Sequence, residues 1–318
     1  MLGPVMIDLQ DHALSDNEIE LLKHPLVGGV VLFTRNYRSS AQLKQLTNAI
    51  HALRSPELLI TVDHEGGPVQ RFHQGFTRLP PMAELGELYA EDPVVALSRA
   101  ENYGYTMASE LKAHGVDLSF APVIDLNKGV SKTLANGRAI ARSVEVVTRV
   151  AQAYIQGMHR AGMAATGKHF PGHGSVIADS HLGIASDPRS WQQITTTDMQ
   201  PFVHLLANDL QAIMPAHIIF SQIDNMPASL SSVWLKDILR QQLGFTGMIF
   251  SDCLSMQGSA AIVRDATTRA EVALMAGCDM ILICNDRNSV LEVLQHLQAP
   301  RNNDLTARIE LMRTYHGE

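Results

Sequence analysis

Short, continuous apolar segments alternate along the chain with longer segments that carry apolar residues at helical spacing. Runs dominated by Val, Ile, Leu and Met predict strands that are buried on both faces, as in a parallel sheet. Eight such runs cover residues 4–9, 28–33, 58–63, 116–124, 163–170, 211–218, 247–252 and 278–285. Amphipathic helices are predicted between them, for example over 40–54, 145–161 and 265–277, the last with Gly277 as its closing glycine.

Eight strands interleaved with helices predict an α/β fold of the (β/α)8 or TIM-barrel type, in a single catalytic domain that spans residues 1–318. An open doubly wound sheet is the alternative, but no GxGxxG or phosphate-binding loop follows an early strand. Catalytic groups in such barrels lie at the carboxyl ends of the strands. The polar residues at these predicted ends are Asp63, Asp125, Lys168 with His169, His217, Asp252 and Asn285. We therefore expect one pocket lined by these side chains.

The composition limits the partners that this chain can have. Of its 318 residues 46% are hydrophobic, and the net charge of −7 with scattered basic residues argues against nucleic acid and anionic membranes as partners. Three cysteines are too few for a disulfide framework, and neither a secretory signal nor a long apolar segment is recognisable. We therefore expect a cytoplasmic protein, a monomer or weak homodimer, with a small-molecule substrate and no cofactor.

The segment KHFPGHGSVIADSH, residues 168–181, concentrates three histidines, a lysine and an aspartate in one loop after a predicted strand. Hydrogen-bonded structural histidines are the simplest interpretation, but loops of this composition carry function disproportionately. A metal site would use His169, His173 and His181. Against it, a Pro-Gly pair prevents a helical pair of ligands, and Lys168 would place a positive charge beside the ion.

An acid–base pair is the third interpretation of this loop. Asp179 lies two residues before His181, and a carboxylate beside an imidazole favours its charged form and fixes which ring nitrogen faces outward. Such a histidine can give a proton and later take one back. Asp252, at a predicted strand end, is then a candidate nucleophile. Asp63 and Arg71, which flank a Gly-Gly turn, either bind sugar hydroxyls or form a local salt bridge.

Three motifs together resemble glycoside hydrolase family 3, and within it the single-domain bacterial β-N-acetylhexosaminidases of cell-wall recycling. They are VDHEGGPVQRF (62–72), KHFPGHG (168–174) with DSH (179–181), and FSDCLSM (250–256), and the resemblance extends over nearly the whole chain. It implies that Asp252 is the nucleophile, His181 the acid/base and Asp179 the partner of that histidine. It also implies that N-acetylglucosamine is bound by Asp63, Arg71, Lys168, His169 and, through a looser match in ANGRAIARS (135–143), Arg138.

Several positions depart from the family pattern. Asn136 stands where Gly is usual, Ile140 where an aromatic residue is usual, and Pro68 where Arg is common. Cys253 replaces an acid that often follows the nucleophile, and Ser175 follows PGHG, where many relatives carry other residues. None of these positions has an implied chemical role, so we expect catalysis to be retained, while fine specificity is open to change.

The resemblance implies a retaining exo-β-N-acetylglucosaminidase of peptidoglycan recycling, a process tied to cell-wall biogenesis, cell shape and cell division. Its substrate would be N-acetylglucosamine β-1,4-linked to 1,6-anhydro-N-acetylmuramic acid, with or without peptide. A covalent intermediate on Asp252 is preferred over catalysis by the substrate's acetamido group, because that route uses two adjacent acids and Cys253 follows Asp252. A metal-dependent barrel hydrolase and a sugar-binding protein without catalysis are the alternatives from other classes.

Overall fold

Eight parallel strands form a barrel at the centre of the molecule. The computed structural model describes residues 2–177, 183–207, 210–299, 302 and 304–315. In chain order the strands are β1 (Val5–Asp8), β2 (Val27–Leu32), β3 (Leu59–Val62), β4 (His64–Gly66), β5 (Val69–Gln70), β6 (Leu118–Ser119), β7 (Thr166–Phe170), β8 (Ala185–Asp187), β9 (Ala212–Pro215), β10 (Ile218–Phe220), β11 (Met248–Cys253) and β12 (Met280–Ile283). Eight of these strands form the barrel sheet, in which neighbouring strands follow the order β6-β3-β2-β1-β12-β11-β9-β7.

The two edges of this sheet meet through the segment that follows β6. Val123 pairs in parallel with Lys168, and the Ile124 N–H donates to the Lys168 carbonyl at 2.9 Å. The Thr166 N–H donates in turn to the Ala121 carbonyl at 2.9 Å. The predicted (β/α)8 fold is therefore confirmed, with every one of the eight predicted strands represented, whereas the domain limits of 1–318 stay a prediction.

Helices surround the barrel. In chain order they are α1 (Asp16–Lys23), α2 (Ser40–His51), α3 (Met82–Glu91), α4 (Pro93–Lys112), α5 (Val144–Arg160), α6 (Trp191–Thr195), α7 (Gln200–Leu206), α8 (Gln257–Ala260), α9 (Ala266–Ala276), α10 (Arg287–His296) and α11 (Leu305–Arg313), with a π-helix at Val233–Gln242. The predicted helices over 40–54, 145–161 and 265–277 are confirmed, and Gly277 caps the last with a φ of 125°. Across the described ranges, no helix combines the length and the apolar character needed to cross a membrane.

The barrel strands are mainly apolar before their carboxyl ends, because helices cover the outer face of the barrel and side chains fill its interior. Every residue of β1, β2 and β3 is buried, and the rings of Phe120 and Phe250 meet edge to face inside, with centroids 5.2 Å apart. Outside, α4 and α5 touch backbone to backbone, since a Cβ on Gly157 would lie 1.9 Å from the Glu101 carbonyl oxygen. This rigid frame holds the strand ends in fixed positions.

Candidate active site

A cavity of about 130 Å3 lies at the carboxyl ends of the strands. Its polar lining consists of six residues that the sequence had already singled out, namely Asp63, Arg71, Arg138, Lys168, His169 and Asp252. The rest of the wall is apolar or sulfur-containing, with Val31, Phe33, Val69, Phe120, Met214, Cys253, Leu282 and Cys284. Asp179 and His181 lie outside the described residues.

A tight hairpin positions the first of these groups. Asp63 follows β3 directly, and β4 and β5 then pair antiparallel around Gly66 and Gly67. Both glycines have positive φ, 103° and 53°, and a Cβ on Gly66 would lie 2.8 Å from the Pro80 carbonyl oxygen. The turn brings Arg71 back beside Asp63, with Nη2 3.4 Å from Oδ2. The salt-bridge interpretation of this pair is therefore confirmed; both residues also line the cavity, and their binding of sugar hydroxyls stays a prediction.

Lys168 is a buried ammonium held between two carboxylates. Its side chain is 2% exposed, and Nζ lies 2.9 Å from Asp63 Oδ1 and 2.6 Å from Glu65 Oε1. Burial lowers the pKa of Lys168, but these two carboxylates outweigh it and raise the pKa above its usual value. For Asp63 the signs are reversed. Burial raises the pKa of this carboxyl group, but the positive charges of Lys168 and Arg71 hold it well below its usual range. The cluster therefore stays ionised at neutral pH.

Glu65 is a member of this cluster that the sequence did not single out. It is 3% exposed; its Oε2 accepts from Arg138 Nε at 3.0 Å, and its Oε1 accepts from Arg138 Nη2 at 2.8 Å in addition to Lys168. Glu65 lies inside the HEGG motif two residues after Asp63, and residues two apart in extended chain share a face. That spacing is the signal from which Glu65 could have been predicted.

Arg138 reaches the cavity from the loop that precedes α5. Its Nη1 donates to the Thr133 carbonyl at 2.7 Å. Asn136, the departure from the family glycine, has a φ of 59°, and Gly137 has a φ of 81°. Asparagine enters this left-handed region more readily than most other residues, so the substitution preserves the turn that presents Arg138.

Asp125 lies behind His169 and fixes its orientation. The carboxylate is fully buried; Oδ2 accepts from His169 Nδ1 at 2.8 Å and from its backbone N–H at 3.1 Å, and Oδ1 accepts from the His173 N–H at 2.7 Å. Burial raises the pKa of Asp125, but His169 outweighs it and leaves the pKa below its usual value. Donation from Nδ1 assigns the ring tautomer, so Nε2 is the atom of His169 free to act on a ligand.

The histidines of the segment 168–181 do not assemble a metal site within the described residues. His173 is buried, and burial lowers its pKa to about 4, so it is neutral at pH 7. Its Nδ1 lies 3.2 Å from Ser131 Oγ, while His169 binds Asp125. No group of three or more His, Cys, Asp or Glu side chains is placed to share an ion in the ranges that the structure covers.

Asp252 reaches the cavity on β11 and is half-buried. Its Oδ1 accepts from the Cys253 N–H at 2.7 Å. His217, which follows β9, places Nε2 2.9 Å from the Cys253 carbonyl and Nδ1 against Ser229 Oγ. His217 thereby joins the end of β9 to the end of β11 and supports the backbone on which Asp252 lies.

The expectation that all six strand ends line one pocket is wrong in part. Asp125 and His217 lie behind the cavity wall, where they hold His169 and the backbone of Cys253. Asn285 lines a separate cavity, together with Asp8, Arg35 and Arg287. The remaining strand ends do converge, and with Arg71 and Arg138 they form a polar ring that contains two half-buried carboxylates, Asp63 and Asp252.

Comparison with known proteins agrees with this geometry. The family model described as glycosyl hydrolase family 3 N terminal domain matches residues 5–310. The chain belongs to glycosyl hydrolase family 3. A β-hexosaminidase of Methylobacillus flagellatus is 51% identical over 311 residues, which cover 98% of this chain and 88% of that protein.

Solved structures of family 3 proteins are also similar to this chain. NagZ from Neisseria gonorrhoeae in complex with N-trifluoroacetyl-D-glucosamine superimposes with a TM-score of 0.93 at 43% identity, over 99% of this chain and 91% of that one. The same enzyme in complex with zinc ion gives a TM-score of 0.92 at 43% identity, over 98% and 90% of the two chains. The family 3 chain is thus a β-N-acetylhexosaminidase, and the alternative of a sugar-binding protein without catalysis is excluded.

Proposed function

We propose that this β-N-acetylhexosaminidase removes a terminal β-1,4-linked N-acetylglucosamine from 1,6-anhydro-N-acetylmuramic acid, with or without its peptide. The enzyme acts in the cytoplasm, on wall fragments that are being recycled. Asp63, Arg71, Arg138, Lys168 and His169 bind the sugar that the enzyme retains. This substrate follows from the family resemblance and agrees with the N-acetylglucosamine derivative bound by gonococcal NagZ.

The observation that carries the proposal is the small cavity, whose polar ring combines the ion-paired Asp63 with a second half-buried carboxylate, Asp252. Its volume of about 130 Å3 is well below the roughly 300–1,000 Å3 of pockets for larger ligands, which favours one sugar unit over an oligosaccharide. Lys168 and Arg138 supply charged donors for sugar hydroxyls, and Asp63 supplies an acceptor. A pocket for a single sugar suits removal of one terminal residue at a time.

In the first chemical step the Asp252 carboxylate attacks the anomeric carbon of the bound sugar. The bond from that carbon to the glycosidic oxygen breaks as the oxygen takes a proton from the His181 imidazolium. Asp179 stabilises the positive charge of the ring. The products are the leaving sugar, a neutral histidine and a glycosyl ester on Asp252.

In the second step neutral His181 removes a proton from water, which attacks the anomeric carbon and releases the Asp252 carboxylate. Two displacements retain the β configuration. The rival route, in which the acetamido group attacks, typically uses a second acid beside the first. Here the next residue is Cys253, whose Sγ contacts the Cys284 carbonyl at 3.8 Å. The covalent route is therefore preferred.

Trapping the intermediate in a His181→Ala variant tests this mechanism. Natural disaccharides, whose sugar leaving group needs a proton, should react far more slowly than with the wild type. An aryl N-acetylglucosaminide with an acidic phenol should still form the ester, and mass spectrometry should find the adduct on Asp252 because deglycosylation lacks its base. Equal loss of the glycosylation rate on both substrates, with no adduct, would refute the role of His181.

A further inference from the structure

We infer that Glu65 is a positioning residue: it holds Arg138 and Lys168 in the geometry that binds the retained sugar, without itself touching that sugar. This inference rests on the proposed function, because it assigns the support for the same subsite. Glu65 is absent from the set of cavity-lining residues, whereas both of its partners belong to it. It therefore acts through them.

The contacts leave Arg138 little freedom to move. Its Nε and Nη2 both donate to the Glu65 carboxylate, at 3.0 and 2.8 Å, in the parallel two-bond arrangement that fixes the guanidinium plane. Its Nη1 donates to the Thr133 carbonyl at 2.7 Å. All three nitrogens are anchored, and the N–H bonds left over project in fixed directions. A carboxylate that accepts two parallel hydrogen bonds allows the guanidinium group only one orientation.

Glu65 also balances the charge of the subsite. Asp63 and Asp252 in the cavity wall, with Glu65 behind it, supply three carboxylates, and the wall contains three cations, Arg71, Arg138 and Lys168. This set of six groups is formally neutral. Replacement of Glu65 by glutamine leaves two carboxylates against three cations. Of the cations only the ammonium of Lys168 can readily respond by losing a proton.

The groups that face Lys168 determine how its charge depends on pH. Burial lowers the pKa of Lys168, Asp63 and Glu65 raise it, and Arg138 lowers it. From α5, Tyr154 also senses Glu65: burial raises the pKa of the Tyr154 hydroxyl and the carboxylate raises it further, so this tyrosine stays neutral. Without the Glu65 charge, only Asp63 of these two carboxylates still raises the pKa of Lys168. Lys168 therefore loses its proton at a lower pH than in the wild type.

Binding of N-acetylglucosamine, measured by calorimetry at pH 7 and at about pH 9.5, tests the inference separately from catalysis. The wild type is the reference at both pH values, because Cys253 also lines the cavity and a hydrogen bond with Cys284 lowers the pKa of its thiol, which titrates in the wild type and the variants alike. Relative to the wild type, Glu65→Gln should bind at least about tenfold more weakly at pH 7, and this deficit should grow at least about threefold further at the higher pH. Glu65→Asp keeps the charge but shortens the side chain, so it should bind more weakly at pH 7 and keep the wild-type pH dependence.

Asp279 offers a matched control at the opposite end of the barrel. This buried carboxylate, immediately before β12, also pairs with two cations, Arg240 at 2.6 Å and Arg308 at 2.7 Å. Asp279→Asn should lower the melting temperature and leave sugar affinity and its pH dependence unchanged.

Each outcome of this experiment has a defined meaning. Glu65→Gln affinity within about twofold of wild type at both pH values overturns the inference. If that variant fails to fold, unchanged affinity in Glu65→Asp overturns it instead. A wild-type protein that neither binds N-acetylglucosamine nor hydrolyses its aryl glycoside would contradict the proposed function itself. Binding by the wild type with no effect of Glu65 contradicts only the positioning role.

Discussion

Replacement of Asp125 by asparagine is the sharpest single test of how the site is supported. The fully buried carboxylate accepts three hydrogen bonds, two at Oδ2 from His169 and one at Oδ1 from the His173 N–H. Asparagine has nearly the same shape but only one acceptor oxygen, and its NH2 group can only donate. Whichever way the amide is turned, at least one buried donor faces another donor.

The structure gives the size of the effect. A buried donor without an acceptor costs about 1–3 kcal/mol, and the bonds that survive lose the strength that the charged acceptor gave them. We therefore expect the free energy of unfolding to fall by about 2–4 kcal/mol. Because the pKa of Asp125 is lowered by folding, this stabilisation is present above the usual carboxyl pKa of about 3.9 and is lost as the pH falls through the folded value.

Activity should respond together with stability. If the amide nitrogen faces His169, the ring loses its fixed tautomer, so we expect kcat/KM to fall at least about tenfold, or roughly 1.4 kcal/mol. Urea unfolding at pH 7 and pH 3.5 measures the first effect, and hydrolysis of an aryl N-acetylglucosaminide measures the second. Asp237→Asn, an exposed site on the π-helix, is the control and should stay within about 0.5 kcal/mol of the wild type. An Asp125→Asn protein as stable as this control would refute the reasoning.

Three further predictions concern the chemistry. Asp252→Asn should keep the fold and sugar binding yet turn over an aryl N-acetylglucosaminide at less than about a tenth of the wild-type rate, a loss above roughly 1.4 kcal/mol; faster turnover would exclude Asp252 as the nucleophile. Lys168→Ala and Arg71→Ala should lower kcat/KM while NMR still detects the β-anomer first, and an α-anomer would indicate inversion. Treatment with a chelator should leave turnover unchanged. If turnover is lost and is restored by added metal, the metal-dependent alternative is supported.

The strands were predictable because a parallel barrel buries both faces of each of them, and continuous apolar runs follow. The largest error in their length is at residues 116–124, where the regular strand covers only Leu118–Ser119. Pro122 lies in that run, and proline has no N–H to give to a neighbouring strand. The chain after β6 still crosses to β7, through Val123 and Ile124, but by isolated contacts.

The position of a strand end was predictable, but the direction of its side chain was not. Cys284 lines the cavity of the candidate active site, and Asn285, the next residue, lines a different one. Successive side chains of a regular strand point to opposite faces, but the ends of these strands are irregular: Lys168 with His169, and Asp252 with Cys253, are consecutive residues that both line the cavity. Asn285 has in addition a φ of 60°, which redirects the chain toward α10. A prediction based only on which polar residue ends a strand takes account of neither the direction of the side chain nor the turn of the backbone.

The two ends of this barrel use the same chemistry for different purposes. Before β12, at the amino ends of the strands, Asp279 pairs with Arg240 and Arg308, and such clusters at this face of a barrel serve stability. At the mouth, Glu65 pairs with Arg138 and Lys168 in the same one-carboxylate, two-cation arrangement. The difference is what lies next to the cations. Those at the mouth line a cavity, so the geometry that the buried carboxylate imposes on them becomes the geometry offered to a ligand.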